Sequence, residues 1–328
     1  MKRVILLICF ILTIWQLQAQ NRKQMANFSE YKHYHNPSLT GFDGSVVRSL
    51  YRNQWTGFED APKTMLATAE LDLAMIGKNK GYFGSRNRGA AANYGAKHAI
   101  GLTLLHDQFG PFKESQLGLS YGSGIRLNEQ LSLRWGTALT YTFHRLDGNS
   151  LTLEQENDAK YNAVLGQNNR SSRMDMNLGL ALTTARYYIG YGMQDVTAGK
   201  VVSGGDDYLH SFYTRRHALQ TGYRANVTEQ WGFTLNGIYQ YDEELKSTVE
   251  GQVKAIYQDA FWVGAGYRND LAYNLTAGIR LNQLGIGYAY ESPVQEAQAI
   301  NRSTNEITLS YNLVPLRSNK QSRQRIIW

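Results

Sequence analysis

The chain has 328 residues, a net charge of +7, 31 Gly and 22 Tyr but 5 Pro, and a mean hydropathy of −0.43. That hydropathy excludes a bundle of membrane-spanning helices, each of which needs about 20 consecutive apolar residues. It does not exclude a transmembrane β-barrel, whose strands turn every second side chain to a polar lumen.

The N-terminus has the layout of a secretory signal peptide: Lys2 and Arg3 lead an apolar run from Val4 to Trp15, and Leu17-Gln18-Ala19 precedes a cut before Gln20. Cys9, the single cysteine, lies inside the apolar run without the small residues of a lipoprotein site. With residues 1–19 removed, the mature chain has no cysteine for disulfides, thiolate metal sites or nucleophilic catalysis. Loss of Lys2 and Arg3 lowers the charge to +5, and the remaining basic residues are scattered singly up to the C-terminal tail, which argues against a nucleic-acid partner. Residues 20–43 are expected to form a periplasmic N-terminal segment. It contains His33-x-His35, which would share a face on a strand, but no Asp, Glu or Cys spacing completes a metal site.

From residue 44 onward the dominant signal is two-residue alternation. Leu131, Leu133, Trp135, Thr137, Leu139, Tyr141 and Phe143 oppose Ser132, Arg134, Gly136, Ala138, Thr140, Thr142 and His144. A two-faced segment of this length is long enough to cross a bilayer when tilted. The pattern recurs and predicts strands at 44–52, 64–74, 97–106, 113–126, 130–144, 171–184, 186–193, 212–225, 231–241, 246–256, 259–268, 271–281, 284–291 and 303–313. The expected fold is all-β: a transmembrane antiparallel barrel of about 14 strands over residues 44–313, an even count as single-chain bacterial barrels require. Both termini are expected in the periplasm, with residues 314–328 a basic tail carrying Arg317, Lys320, Arg323 and Arg325. A soluble fold, either a large β-sandwich or a barrel with an internal binding lumen, is the competing architecture. Aromatic residues near strand ends, such as Trp231, Tyr241, Tyr267 and Tyr290, favour the membrane.

Connection lengths give an orientation. Asn128-Glu129, the turn near Thr184, Asn226 to Gln230, Gln258 and Asn282-Gln283 are the short links of one end. The long links 145–170, 194–211 and 292–302 belong to the other, which should face the cell exterior. The long 75–96 link falls on the short-turn side against this rule. Inward positions include Glu70, Asp72, Arg126, Arg134, Asp175, Arg224, Glu250, Lys254, Arg268 and Arg280. Charges of both signs can pair across a lumen, so a largely filled interior is expected, not a wide pore.

Chemistry-bearing motifs are sparse. Asp206-Asp207 lacks the spacing of a calcium loop. Ser, His and Asp occur without a nucleophile elbow, and neither a P-loop nor a dinucleotide fingerprint is present. Neither a cofactor nor catalysis is expected. The segment that stands out is Arg52-Asn53-Gln54-Trp55-Thr56-Gly57-Phe58-Glu59-Asp60-Ala61-Pro62-Lys63-Thr64, which reads as a compact turn with Trp55 and Phe58 packed down, either a structural clasp or a docking knob.

This segment resembles the signature of the PorP/SprF family of Bacteroidetes outer-membrane proteins. The upstream Tyr34-His35-Asn36-Pro37-Ser38-Leu39-Thr40-Gly41 resembles a second family element. Ile100-Gly101-Leu102 leading to Asp107-Gln108-Phe109-Gly110-Pro111 resembles a third. Late strands, 261–268 and 286–290, and Asn305-Glu306-Ile307 extend the likeness over about residues 28–314. Glu291 stands where Asp is expected and Asn305 where His is commoner. The resemblance implies an outer-membrane barrel of the type IX secretion and gliding machinery. It further implies binding of the C-terminal domain of a large, adhesin-like secreted surface protein, for export or surface anchoring. Its partners would be that protein, type IX secretion components and outer-membrane lipid. Candidate partner-binding or structural residues are Arg52, Asn53, Gln54, Trp55, Gly57, Phe58, Pro62, Thr64, Asn36, Pro37, Asp107 and Gly110. An outer-membrane porin or solute transporter is the alternative function.

Overall fold

The computed structural model describes residues 24–75, 95–147, 170–199, 202–204, 214–243, 247–294, 297 and 300–314. The strands are β1 (Val46–Asn53), β2 (Lys63–Asp72), β3 (His98–Phe109), β4 (Phe112–Arg126), β5 (Ser132–Leu146), β6 (Arg170–Thr183), β7 (Tyr187–Gln194), β8 (Val202–Gly204), β9 (Arg216–Asn226), β10 (Trp231–Asp242), β11 (Thr248–Tyr257), β12 (Phe261–Arg268), β13 (Ala272–Leu281), β14 (Leu284–Pro293) and β15 (Thr304–Asn312). Fourteen of them close into an antiparallel barrel, each paired with its chain neighbours, with β7 beside β9 and β1 sealing against β15. The three-residue β8 pairs with Ser172–Met174 of β6, inside a stretch expected to be loop.

Alternation decides which face each residue takes. On β5, Ser132, Arg134, Ala138, Thr140 and Thr142 are buried in the lumen, while Trp135, Leu139 and Tyr141 face outward and are exposed. The same division holds round the barrel: Leu180, Leu235, Leu275, Ile286 and Leu309 form an outward apolar belt. Outward aromatics flank it, with Trp135, Tyr187, Tyr223, Trp231, Phe261 and Tyr311 toward one end and Tyr141, Tyr239, Tyr241, Tyr267, Tyr273 and Tyr290 toward the other. An apolar band between two aromatic girdles is the surface a bilayer selects. No helix among the described residues is long and apolar enough to cross a membrane.

The barrel has a turn end and a loop end. At the turn end, β11–β12 and β13–β14 close tightly. Gln258 and Asp259 both adopt positive φ (52° and 54°), as does Asn282 (55°), the twist-matched geometry of tight hairpins. The 73–97 link also lies at this end, and residues 76–94 within it are outside the described residues. So are 148–169 and 205–213 of the loop-end links, residues 1–23, and the tail beyond 314.

The main departure from the sequence reading is the N-terminal segment. Residues 24–43, expected in the periplasm outside the barrel, instead line its interior as a strap. It comprises a 3-10 turn at Phe28–Glu30, the short helix α1 (Lys32–His35) and a second 3-10 turn at Pro37–Leu39. Ala26, Ser29, Tyr31, Asn36, Ser38 and Thr40 are fully buried. Gln24 accepts a hydrogen bond from Arg268, the last residue of β12 at the loop end (2.7 Å), whereas Ser45 leads into β1 at the turn end. The strap therefore crosses most of the lumen.

The physical reason is composition. Met25 and Tyr31 pack on Leu50, Leu66 and Leu105; Phe28 packs on Ala218 and Ile238; Leu39 and Phe42 pack on Ala181 and Tyr188. An apolar set of this size is stabilised by leaving water. Its backbone polar groups then need partners inside, and the inward polar side chains of the strands supply them.

Candidate functional site

The loop-end half of the lumen is built on carboxylates and guanidinium groups. Register places Arg52 of β1 opposite Glu306 of β15. Arg52 donates to Glu291 (2.7 Å) and Glu306 (3.4 Å), and Arg268 donates to Glu250 (2.9 Å) and Glu291 (3.2 Å). Glu306 also accepts the backbone N–H groups of Ala26 (2.9 Å) and Asn27 (3.2 Å) of the strap. Gln252 acts in both senses, donating to the Ala26 carbonyl (3.1 Å) and accepting from the Ser29 hydroxyl (2.6 Å).

Lower in the lumen, Glu70 accepts from Arg48 (2.6 Å) and from the Gly41 backbone (2.7 Å), and lies 3.2 Å from His33 Nδ1. Arg48 and Lys32 converge on Asp43, at 2.8 and 3.0 Å. Arg134, fully buried, donates to three carbonyls at once: Ser38 (2.9 Å), Ala96 (2.7 Å) and Thr40 (2.8 Å). A guanidinium can satisfy several carbonyls in this way because its donors fan out in one plane.

The far wall is made of glycines. A Cβ at Gly136, Gly179 or Gly192 would overlap the Pro37 carbonyl, the Asn36 side chain or the His35 carbonyl respectively. Asn36 is fixed there, its amide donating to the Leu180 carbonyl (3.3 Å) and its oxygen accepting from Ser38 N–H (3.0 Å). Gln194 donates to the Tyr34 carbonyl (2.6 Å). His33 and His35 lie on the helical turn α1, where residues two apart point about 200° from each other. His33 meets Glu70, while His35 is buried on the other side of the turn. The pair does not converge. Among the described residues, no group of three or more His, Cys, Asp or Glu side chains is placed to hold a metal ion.

The candidate residues thus divide into two places. Asn36 and Pro37 lie deep against the glycine wall, and Arg52 is an inward ion-pair residue. Thr64 donates to Asp107 across β2 and β3, both buried. The remainder lie at the loop end, Asn53 at the end of β1, Gln54, Trp55, Gly57, Phe58 and Pro62 in the β1–β2 loop, and Gly110 in the β3–β4 hairpin. Gln54 N–H donates to the Pro62 carbonyl (2.9 Å), closing the loop on itself. Thr56 ties it to the β14–β15 connection, donating from N–H to the Ser303 carbonyl (2.8 Å) and accepting from Asn305 (2.8 Å). Gly110 N–H of the β3–β4 hairpin donates to the Asp60 carbonyl (3.1 Å).

Trp55 turns the chain with φ +53° and Gly57 follows at +86°. The Trp55 ring meets Phe109 edge-on at 5.7 Å and Phe58 at 6.3 Å. Trp55 is half-buried, but Phe58 is 51% exposed and not packed down as its sequence context suggests. Phe109 and Phe112 beside it are also exposed.

Sequence reasoning assigned Glu250, Lys254, Arg268, Arg134, Glu70 and Asp175 to the lumen, and all six are buried there. Arg126, assigned with them, is exposed at the end of β4. Arg48, Arg52, Glu291 and Glu306 were not recognised as inward partners, although all lie on alternating strands. The missing information is register: Arg52 and Glu306 are 254 residues apart and meet where the barrel closes.

Solved structures similar in fold are outer-membrane barrels. CdiB from Acinetobacter baumannii aligns with TM-score 0.41 and 7% identity over 81% of this chain, which spans 59% of CdiB. A Pseudomonas aeruginosa FadL homologue aligns with TM-score 0.44 and 8% identity, covering 85% and 93% of the two chains. The TodX deltaS2S3 mutant monoaromatic hydrocarbon channel aligns with TM-score 0.45 and 12% identity, covering 85% and 94%. No curated protein matches the sequence. The family described as type IX secretion system membrane protein PorP/SprF matches residues 17–311. With nearly the whole barrel inside that match, the chain belongs to the PorP/SprF family, as an integral outer-membrane β-barrel of the type IX secretion system.

Proposed function

We propose that this barrel is a binding platform: its loop end holds the C-terminal domain of a large secreted surface protein and helps its export or surface anchoring. The observation that carries this reading is the division of labour between lumen and rim. The lumen is occupied by the chain's own strap, whose buried groups are held from both walls. The rim presents an aromatic loop anchored at three places, with Phe58, Phe109 and Phe112 exposed. Exposed aromatics on a fixed loop are the residue type that interfaces concentrate. In this reading the loop end faces the cell exterior, the signal peptide ends at residue 19, and the links 145–170 and 194–211 join the surface.

The porin reading is disfavoured by the same strap, which leaves little room for a solute path. The family and fold point to a secretion-system barrel and not to an enzyme. The test is affinity capture from detergent-solubilised outer membranes. Wild type should co-purify a large surface protein, and a Trp55→Ala/Phe58→Ala variant should lose it while still inserting as a barrel. Equal retention by the variant would overturn the reading.

A further inference from the structure

On the outer wall the belt is interrupted where β1 and β2 carry small residues. Ser49 and Ala67 are paired across the two strands and form the floor of a groove of about 750 Å3. Ile307 and Leu309 of β15 rise on one side, and Leu104 and Leu117 of β3 and β4 on the other; all four are exposed. Toward the loop end the trough meets a polar pair, His106 and Ser115, joined by a hydrogen bond of 2.9 Å between Nδ1 and Oγ. Both side chains are on the outward face, at the margin of the groove.

We propose that this groove is a binding site for an amphiphile: an acyl chain of a membrane lipid lies in the trough, and its polar head meets His106 and Ser115. Three features carry this. The groove lies within the outward apolar belt and is continuous with it, so the surrounding medium is hydrocarbon and the default occupant is a chain. Its lining is almost wholly apolar along its length and polar at one margin, matching the two parts of an amphiphile. That margin is on the girdle side, where headgroups lie when the chain points to the bilayer centre. The floor is also rigid from behind: inward Leu50 and Leu66, the chain neighbours of Ser49 and Ala67, pack on Met25 and Tyr31 of the strap. A preformed trough orders a chain at less entropic cost than a surface that must adjust.

Because Ser49 and Ala67 point away from that inner cluster, they can be enlarged without touching it. The full-length protein would be extracted in mild detergent, exchanged extensively, and its retained lipid measured by native mass spectrometry. Wild type should keep an acyl lipid through exchange. Ala67→Phe and, independently, Ser49→Leu should reduce retention several-fold. Ala277→Phe, an equal enlargement on the outward face of β13, should leave retention unchanged. Heat-modifiable migration on gels verifies that each variant is a folded barrel. Retention by both folded groove variants at the wild-type level would overturn the proposal. So would a wild type stripped of lipid by the first exchange, an equal loss in Ala277→Phe, or recovery of a lipoprotein or other polypeptide in place of a free lipid.

Discussion

The two halves of the strap are held by different physics. Residues 24–33 add charge and hydrogen bonding to the apolar packing of Met25, Phe28 and Tyr31, through Glu306, Gln252, Arg268 and Glu70 on the strands of the closing seam and its neighbours. Residues 34–41 are held largely by shape, lying on a wall where Gly136 and Gly192 admit the strap backbone and Gly179 and Gly190 admit the Asn36 side chain. The first half is sensitive to a lost charge partner, and the second to an added atom at the glycine wall. The strap is fastened by both means, and the two can be broken separately.

The largest effect is expected from removing the strap altogether. Excision of residues 24–43 takes away the apolar plug and exposes the inward polar wall to water. Planar-bilayer recordings should show a silent wild type and an open, porin-like current for the excised form. A wild type that already conducts strongly would break the view that the strap closes the lumen, and with it the contrast between lumen and rim.

Next in size is the charged half. Arg52→Met leaves Glu306 buried without its guanidinium, while Glu291 keeps Arg268. Removing one partner of a buried ion pair typically costs about 3–5 kcal/mol. Denaturant unfolding of the detergent-solubilised barrel should show a loss of that order. The double variant Arg52→Met/Glu306→Met should recover part of it, since the stranded charge is gone, although the N–H groups of Ala26 and Asn27 then lack their acceptor. An additive double variant would show that the two residues act independently, against the geometry at the seam.

How much of this was legible in the sequence follows from the range of each interaction. Alternation is local, so the strand positions, the even count and the outward belt could be read along the chain: the predicted strand 231–241 is β10 at Trp231–Asp242. The short turns were legible too, because Asn128, Gln258 and Asn282 sit between two-faced runs. The strap was not legible. Its helical and 3-10 turns are too short for a periodic signal, and its burial depends on a lumen that exists only after fourteen strands close. The candidate motif suffered in the same way. Arg52 and Trp55 are three residues apart and looked like one element, yet strand parity sends Arg52 into the lumen and the following turn places Trp55 at the rim. Glycine positions such as 136 and 179 read as ordinary small inward residues, because what they accommodate lies about a hundred residues or more upstream in the strap.

The smallest effect is the most discriminating, since it compares two glycines of the same barrel. Gly136 faces the lumen, and a Cβ there would strike the Pro37 carbonyl and the Ser38 nitrogen, atoms of backbone that cannot rotate away. At Gly251, on the outward side of β11, an added Cβ would meet no atom within 4 Å. Both sit in regular strand, so their intrinsic strand preferences are alike, and only the neighbour differs. Gly136→Ala should therefore destabilise by about 1–3 kcal/mol, the usual range for overpacking. Gly251→Ala should fall within about 0.5 kcal/mol of wild type, as outward substitutions without a partner do. Paired denaturant curves decide the point. Equal midpoints would mean that the strap stands off the glycine wall, and its second half would then need a chemical anchor beyond Arg134, Gln194 and Asn36.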